Sequence, residues 1–174
     1  MKGVIIKCLK DMVIDNFGSD KWIKIIEKSG LDPYMAVKTL DDIEDATALK
    51  IVDSACQILN ISLPQAADAF GDYWVNVFAP KIYGIYYEGV DSAKEFILKM
   101  DELHVRATGH IINAKPPRFE YEWTNERTLL VTYKSHRGLI DFFVGLSKGV
   151  GKYFNEQLII KKLSNKQVEI VFED

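Results

Sequence analysis

Apolar residues in the first part of the chain recur at helical spacing. Residues 4–13 follow this pattern, which predicts an amphipathic helix at the start of the chain. A second helix is predicted over residues 18–30, with Ser19 as its N-cap and Gly30 as its stop. A third helical region, in two pieces, is predicted over residues 39–59.

Two further helices are predicted before the character of the chain changes. One begins at Pro64, where the missing N–H leaves no hydrogen bond unmade, and should end near Pro80. The other follows a cap at Asp91–Ser92. Its apolar stripe contains Ala93, Phe96, Ile97, Met100, Leu103, Ala107 and Ile111.

The pattern changes at Pro116 and Pro117, which break any helix. Residues 118–137 alternate and are rich in Thr, Tyr, Phe and Val, which predicts two strands joined at residues 124–126. Residues 138–157 return to helical spacing, and the tail up to Asp174 predicts a hairpin. This order predicts an α+β fold, in which an N-terminal helical subdomain packs on a C-terminal antiparallel sheet with helices.

Composition narrows the class of protein. The 174 residues are 48% hydrophobic and 27% charged, with a net charge of −3, which suits one globular domain over residues 1–174. This negative net charge gives no indication of a surface that binds nucleic acid. Cys8 and Cys56 lack the spacing of a metal site or a disulfide framework. The chain shows no signal peptide and no membrane-length apolar run, so we expect a cytoplasmic protein without membrane insertion.

One histidine, His104, lies on the apolar side of the fifth helix, four residues after Met100. The simpler interpretation is a core histidine with both nitrogens satisfied. The alternative is a neutral imidazole that binds a metal through one nitrogen. Zinc would need further ligands, and His110 and His136 are not spaced for it. A haem iron needs only one protein ligand, because the porphyrin supplies four, so His104 is compatible with haem.

A short polar row follows in the second predicted strand. Alternate residues of a strand share a face, so Tyr133, Ser135 and Arg137 should point the same way. The simpler interpretation is a solvated strand face with an arginine ion pair. All three side chains can donate hydrogen bonds, however, and such a row also suits two carboxylates like the haem propionates.

Five features together resemble the H-NOX (haem-nitric oxide/oxygen binding) family, which includes bacterial relatives of the haem domain of soluble guanylate cyclase. They are the MKG start, the MDELH helix, the PPR segment, the Y-x-S-x-R strand and the spacing between them. The resemblance covers essentially the whole chain. It implies haem b (ferrous protoporphyrin IX) bound between the two subdomains.

The resemblance also assigns roles to individual residues. It implies that His104 is the proximal iron ligand, that Met100 lies near the proximal face, and that Pro117 presses on the porphyrin. It implies further that Asp45 pairs with Arg137. The propionates would be held by Tyr133, Ser135 and Arg137.

By the same resemblance, three helices line the opposite face of the haem, and we interpret Phe70 as core packing beside it. O2-binding members place a tyrosine where this chain has Phe142, which has no donor, so NO and CO are expected to bind with O2 largely excluded. The indole N–H of Trp74 leaves a donor possible, and Tyr73 and Tyr153 rank below it. The residues expected on this face are Ile5, Leu9, Trp74, Phe78, Phe142 and Leu146.

These expectations describe a gas sensor and not an enzyme. NO would weaken the iron–His104 bond, and the resulting shift of haem and helix would be read by a histidine kinase, a diguanylate cyclase or a chemotaxis receptor. A haem enzyme is one alternative, but the expected apolar distal residues supply no acid–base group. A haem-free ligand- or protein-binding module of the same fold is the other, and it would leave His104 as core.

Overall fold

The computed structural model describes residues 1–173; Asp174, where the predicted hairpin ends, lies outside the described residues. Helices and one antiparallel sheet follow each other in the predicted order, which confirms the α+β class. The helices are α1 (Gly3–Phe17), α2 (Ser19–Lys28), α3 (Asp45–Leu59), α4 (Leu63–Tyr73), α5 (Ala79–Tyr83), α6 (Ala93–Thr108) and α7 (Ile140–Phe154). The strands are β1 (Arg118–Trp123), β2 (Thr128–Lys134), β3 (Leu158–Lys162) and β4 (Gln167–Phe172).

The chain divides into two compact units. The first comprises Met1–Ala66 with Ile111–Ala114, and the second comprises Ala67–His110 with the remainder of the chain from Lys115. In the first unit, α2 packs against both α1 and α3. The apolar faces of these helices form its interior, which includes Ile6, Met12, Val13, Trp22, Ile25 and Ile51.

Residues 39–44 are not helical, so the first piece of the predicted third helix is wrong. Their backbone groups pair with the start of the chain instead. The N–H of Gly3 donates to the carbonyl of Asp41 at 2.8 Å, and the N–H of Ile43 donates to the carbonyl of Met1 at 2.8 Å. Apolar spacing in a short segment cannot reveal this pairing, because its partner lies far away in sequence.

The ends of α2 differ in part from the prediction. Gly18 occupies the N-cap position with φ +88°. Ser19 is the first residue of the helix, and its side chain makes no capping hydrogen bond, so the predicted Ser19 cap is wrong. The stop is confirmed, because Gly30 adopts φ +72° after the last turn.

The helix predicted to end near Pro80 continues past it. Its start is closed by a capping box, in which the N–H of Ser62 donates to the side chain of Gln65 at 2.8 Å. A π-helical turn over Trp74–Phe78 then lets the N–H of Ala79 reach the carbonyl of Trp74. Pro80 consequently falls in the first turn of α5, where its missing N–H removes no helical hydrogen bond.

The second unit is built on a four-stranded antiparallel sheet in the order β1-β2-β4-β3. The predicted strand pair joined near residues 124–126 and the predicted C-terminal hairpin are both present. On the covered face of the sheet, α6 packs against β1 and α7, and α7 packs against β3. The core between them includes Ile97, Leu129, Val131, Ile140, Phe143, Val150, Val168 and Ile170.

Glycines bring α4 and α7 into close contact. A Cβ at Gly145 would lie 2.0 Å from the carbonyl oxygen of Ala67, and one at Gly71 would lie 2.1 Å from the carbonyl carbon of Gly145. Two ion pairs flank this contact, between Lys148 and Asp68 and between Lys152 and Asp72, both at 2.7 Å. The two helices can approach this closely only because they lack side chains at the crossing.

Gly145→Ala should therefore destabilise the protein. The added methyl meets backbone atoms that cannot move independently, so we expect the free energy of unfolding to fall by about 1–3 kcal/mol, as in other overpacked sites. Urea unfolding of the variant and the parent measures the difference.

Gly84→Ala is the matched control, because a Cβ there meets nothing within 4 Å and the backbone is right-handed helical. It should leave the free energy of unfolding within about 0.5 kcal/mol of the parent. Equal effects of the two substitutions would contradict the steric explanation.

Candidate functional site

The helix that carries His104 is fixed at its start by a side-chain cap. Ser92 accepts a hydrogen bond from the N–H of Glu95 at 3.2 Å, which confirms the predicted cap. The face of α6 that points into the core includes Ile97 and Met100. The helix ends at Thr108, so Ile111, placed at the end of its stripe by the sequence pattern, lies in the following turn.

The imidazole of His104 bonds within its own helix. Its Nδ1 lies 2.8 Å from the carbonyl oxygen of Met100. A carbonyl oxygen only accepts, so Nδ1 carries the proton and the lone pair of the neutral ring is on Nε2. Burial lowers the pKa of His104, which favours this neutral ring. A metal-ligating histidine is neutral and almost always donates from its other nitrogen to a carboxylate, a backbone carbonyl or water, so His104 fits a haem iron.

Next to His104, α6 is joined to the first strand by an ion pair. Asp101 receives two hydrogen bonds from the guanidinium of Arg118, at 2.8 and 2.6 Å, and a third from the N–H of Phe119 at 2.8 Å. The hydrogen bonds from Arg118 hold the pKa of Asp101 below its usual value. Pro117 directly precedes these residues, so the start of β1 fixes its position relative to α6.

The polar row predicted on one strand face has a different geometry. Only Tyr133 lies in β2; Ser135 and Arg137 lie in the turn that follows, so the prediction of one continuous strand face is wrong. The hydroxyl of Ser135 accepts the N–H of Arg137 at 3.3 Å, a local bond that turns the chain out of the sheet. Gly138, with φ +65°, completes the turn.

The turn nevertheless brings the three side chains together. The phenol of Tyr133 shares a hydrogen bond with Ser135, and its burial raises the pKa, which keeps the phenol protonated. The guanidinium of Arg137 donates from Nη1 to the carbonyl of Lys115 at 2.6 Å. A phenol, a hydroxyl and a guanidinium thus lie close to the segment that contains Pro117, where they can donate to carboxylates.

Aromatic rings from three elements form one cluster in the second unit. Trp74 stacks on Phe70 at 5.8 Å and lies 5.5 Å from Phe78. Phe142 meets Phe70 edge-on at 5.2 Å. Leu146, one turn further along α7, packs against the core of this unit. Three of the residues expected on the distal face, Trp74, Phe78 and Phe142, are therefore neighbours in the fold, with buried Phe70 joining α4 to α7.

Each of the remaining predicted residues has contacts within its own unit. Ile5 and Leu9 are on α1 in the first unit, where Leu9 is buried and Ile5 half-buried. Asp45, also in that unit, forms an ion pair with the amine of Met1, which donates to its carboxylate at 2.7 Å. Tyr153 packs against Tyr87 and Phe154, with ring centroids 5.0 Å apart in each pair.

The described part of the chain contains neither a cluster of metal-ligating side chains nor a membrane-spanning helix. Among residues 1–173, no group of three or more His, Cys, Asp or Glu side chains is placed to hold a metal ion. Within the same residues, no helix has both the length and the apolar character needed to cross a bilayer.

Comparison with known proteins places the chain in a family. Residues 2–162 match the sequence model of the Haem-NO-binding (HNOB) family. The chain belongs to this family. Such H-NOX domains are sensor modules that bind haem and not catalytic domains, so the family match supports a haem gas-sensor role.

The curated relatives are much longer proteins. Soluble guanylate cyclase gcy-32 of Caenorhabditis elegans is 26% identical over 157 residues, which cover 87% of this chain and 23% of the relative. Soluble guanylate cyclase gcy-35 of the same organism is 21% identical over 97% of this chain and 25% of the relative. The chain spans about a quarter of the length of these relatives.

Solved H-NOX structures share the fold. A Cs H-NOX mutant with 4-cyano-L-phenylalanine superposes with a TM-score of 0.89, at 23% identity, over 100% of this chain and 97% of the other. An oxygen-binding H-NOX domain related to soluble guanylate cyclases, solved as its oxygen complex, gives 0.84 at 23% identity, over 100% and 96%. A mutant of the T. tengcongensis H-NOX domain also gives 0.84 at 23% identity, over 100% and 98%.

Two contacts of this H-NOX site were missed by the sequence reasoning. The pair between Asp101 and Arg118 joins residues far apart in sequence, and each alone looks like an ordinary solvated charge. The alternating pattern predicts only a strand position for Phe119, whereas its ring centroid lies 5.5 Å from that of His104. Its position two residues after the Pro-Pro pair was the available signal.

Asp101→Asn should lower stability in a pH-dependent way. The lowered pKa of Asp101 means that its carboxylate stabilises the fold above the unfolded pKa of about 4, and that this contribution is lost as pH falls through the folded pKa. At pH 7 we expect the variant to lose about 1–2 kcal/mol of unfolding free energy, with the partial exposure of Arg118 limiting the effect. Urea unfolding between pH 7 and pH 3 measures it.

Glu102→Gln is the control, because Glu102 forms an exposed ion pair with Arg106 one turn along the same helix. Its effect should stay within about 0.5 kcal/mol at every pH. A difference between Asp101→Asn and the parent that persists unchanged at pH 3 would contradict the assignment.

Proposed function

We propose that residues 1–174 form one haem domain that senses NO and CO, with O2 largely excluded. Bound haem b would supply a ferrous iron with one open position for a diatomic gas. The observation that carries the proposal is the hydrogen bond from Nδ1 of His104 to Met100, which leaves the Nε2 lone pair available to iron. The family match and the lowered pKa of His104 support the same ligand.

The group of donors after β2 would hold the haem propionates. Tyr133, Ser135 and Arg137 present a phenol, a hydroxyl and a guanidinium within one turn of chain, and Arg137 also donates to the backbone at Lys115. Pro117, two residues beyond Lys115, would press on the porphyrin. The other face of the haem would be lined by Trp74, Phe78, Phe142 and Leu146, and by Ile5 and Leu9 of α1.

Gas selectivity follows from the side chain of Phe142. Bound O2 carries negative charge on oxygen and gains from a hydrogen bond, whereas bound NO depends on one much less. Phe142 offers no donor. Trp74 packs by its ring faces against Phe70 and Phe78, which supports a packing role for its indole.

Signalling would begin at His104. When NO weakens its bond to iron, His104 would release the constraint on α6, and α6 would shift against β1, to which Asp101 and Arg118 join it. A partner would read that shift. We infer a cytoplasmic bacterial protein whose partner is a histidine kinase, a diguanylate cyclase or a chemotaxis receptor; guanylate cyclases among the relatives support an output in signalling.

His104→Gly tests the proposed ligand. The substitution removes the imidazole and leaves a space that free imidazole can fill, so haem retention should become dependent on added imidazole. Absorption spectra of the reduced, purified variant with and without imidazole measure retention. His110→Gly is the control, because His110 is exposed and lies beyond the end of α6; it should keep the parent spectrum without any additive.

Two outcomes would contradict this part of the proposal. One is an unchanged five-coordinate haem spectrum of His104→Gly without imidazole. The other is a folded, colourless parent protein that takes up no haemin, which would favour a haem-free binding module.

Phe142→Tyr tests the proposed selectivity. The parent in its ferrous state should show no stable O2 spectrum in air, while binding NO and CO. The variant places a phenol at the matching position, where it can donate one hydrogen bond to bound O2. One hydrogen bond contributes roughly 1.4 kcal/mol, so the O2 affinity should rise by at least about tenfold. Trp74→Phe is the companion variant and should leave the gas responses unchanged. A stable O2 spectrum in the parent that Trp74→Phe abolishes would assign the donor to Trp74.

A further inference from the structure

The ring of Phe119 packs beside the imidazole of His104. Phe119 is the second residue of β1, is only 6% exposed, and pairs across the sheet with Tyr133. The ring centroids of Phe119 and His104 lie 5.5 Å apart with the planes inclined by 51°. This separation is within the range of a direct aromatic contact.

Other contacts hold the ring of Phe119 in place. The ring of Phe119 lies 4.8 Å from that of Phe143 on α7 and 5.9 Å from that of Tyr133 on β2. Its backbone N–H donates to Asp101, which is three residues before His104 on α6. The residue is therefore fixed from the sheet, from α7 and from the helix that it faces.

We propose that Phe119 is the positioning residue that sets the plane of the His104 ring. The hydrogen bond to Met100 decides which nitrogen carries the proton, but a single bond to one carbonyl still permits the ring to swing about the N–H···O direction. The flat, immobile face of Phe119 blocks that swing. The proposal rests on the proposed function, because the ring plane matters when His104 is the iron ligand.

The same ring links the two places where haem would be attached. Phe119 contacts His104 on one side and Tyr133 on the other, and the phenol of Tyr133 is joined to Ser135. A change in the position of the imidazole is thus transmitted through one rigid side chain toward the group of propionate donors. Phe119 and Tyr133 are direct cross-strand neighbours, so a displacement of the Phe119 ring reaches Tyr133 by side-chain contact without any movement of the sheet.

Phe119→Leu is the test variant, because leucine stays apolar and fills much of the space but has no flat face. Phe119→Met is a second variant of the same kind, used if the first does not fold. Phe172→Leu is the matched control: Phe172 on β4 is about as buried as Phe119 in the same core and the same sheet, and its ring contact is with Trp123.

The first measurement uses the full chain without haem. Hydrogen exchange of the His104 Nδ1 proton, followed by NMR, reports how often the ring leaves the Met100 carbonyl. We expect exchange to become at least about tenfold faster in Phe119→Leu and to change by no more than about twofold in Phe172→Leu. A general loosening of the core would accelerate both equally.

The second measurement uses the haem-loaded ferrous protein. The iron–histidine stretching band in the resonance Raman spectrum should shift or broaden in Phe119→Leu and should keep the parent position and width in Phe172→Leu. Parent-like bands and parent-like exchange in Phe119→Leu would overturn the proposal, as would equal effects of the two substitutions.

The two measurements separate this inference from the proposed function. If the parent takes up no haem, the proposed function fails, and Nδ1 exchange alone decides whether Phe119 positions the ring. If the parent shows the iron–histidine band and Phe119→Leu leaves it unchanged, the positioning role fails while the haem assignment stands. If the haem-free chain does not fold, the Raman comparison decides.

Discussion

The hydrogen bond between Nδ1 of His104 and the carbonyl of Met100 is the interaction on which the site depends. It spans one turn of α6 and therefore requires nothing beyond a helix with these two residues at this spacing. It fixes the tautomer, and burial lowers the pKa of the ring, so the chain presents a neutral imidazole with its lone pair on Nε2. A proton on Nε2 instead would leave that nitrogen unable to bind a metal.

The rest of the second unit holds that helix in a defined place. Ser92 closes the start of α6, and Asp101 joins its last turns to Arg118 at the beginning of β1. On the other side of the core, close packing between Gly71 and Gly145 sets α7 against α4, which brings Phe142 toward Trp74 through the shared neighbour Phe70. Local bonds thus orient the imidazole, and packing between elements places the aromatic side chains.

Features encoded locally could be predicted from the sequence. The Ser92 cap, the apolar face of α6 and the α+β order of elements depend on spacing of a few residues, and the structure contains all three. The H-NOX family was identified from short motifs of the same kind. Helical spacing placed Trp74 and Phe78 on one face of one helix and Phe142 on a later helix, although their shared contacts with Phe70 could not be predicted.

Features that depend on distant partners could not be predicted. Residues 39–44 have helical spacing but bond to the start of the chain, and the π-helical turn before Pro80 depends on a shift in hydrogen bonding that composition does not reveal. The Ser135 hydroxyl bends the chain out of the sheet by competing with strand pairing. The role of Phe119 required its neighbours to be known, because a phenylalanine in an alternating strand is ordinarily core.

The most direct test of the account is a crystal structure of the ferrous, haem-loaded protein at a resolution that separates the two imidazole nitrogens. The account predicts that Nε2 of His104 binds the iron, while Nδ1 stays within hydrogen-bond distance of the Met100 carbonyl. Iron bound through Nδ1, or through another residue with His104 still packed in the core, would contradict it.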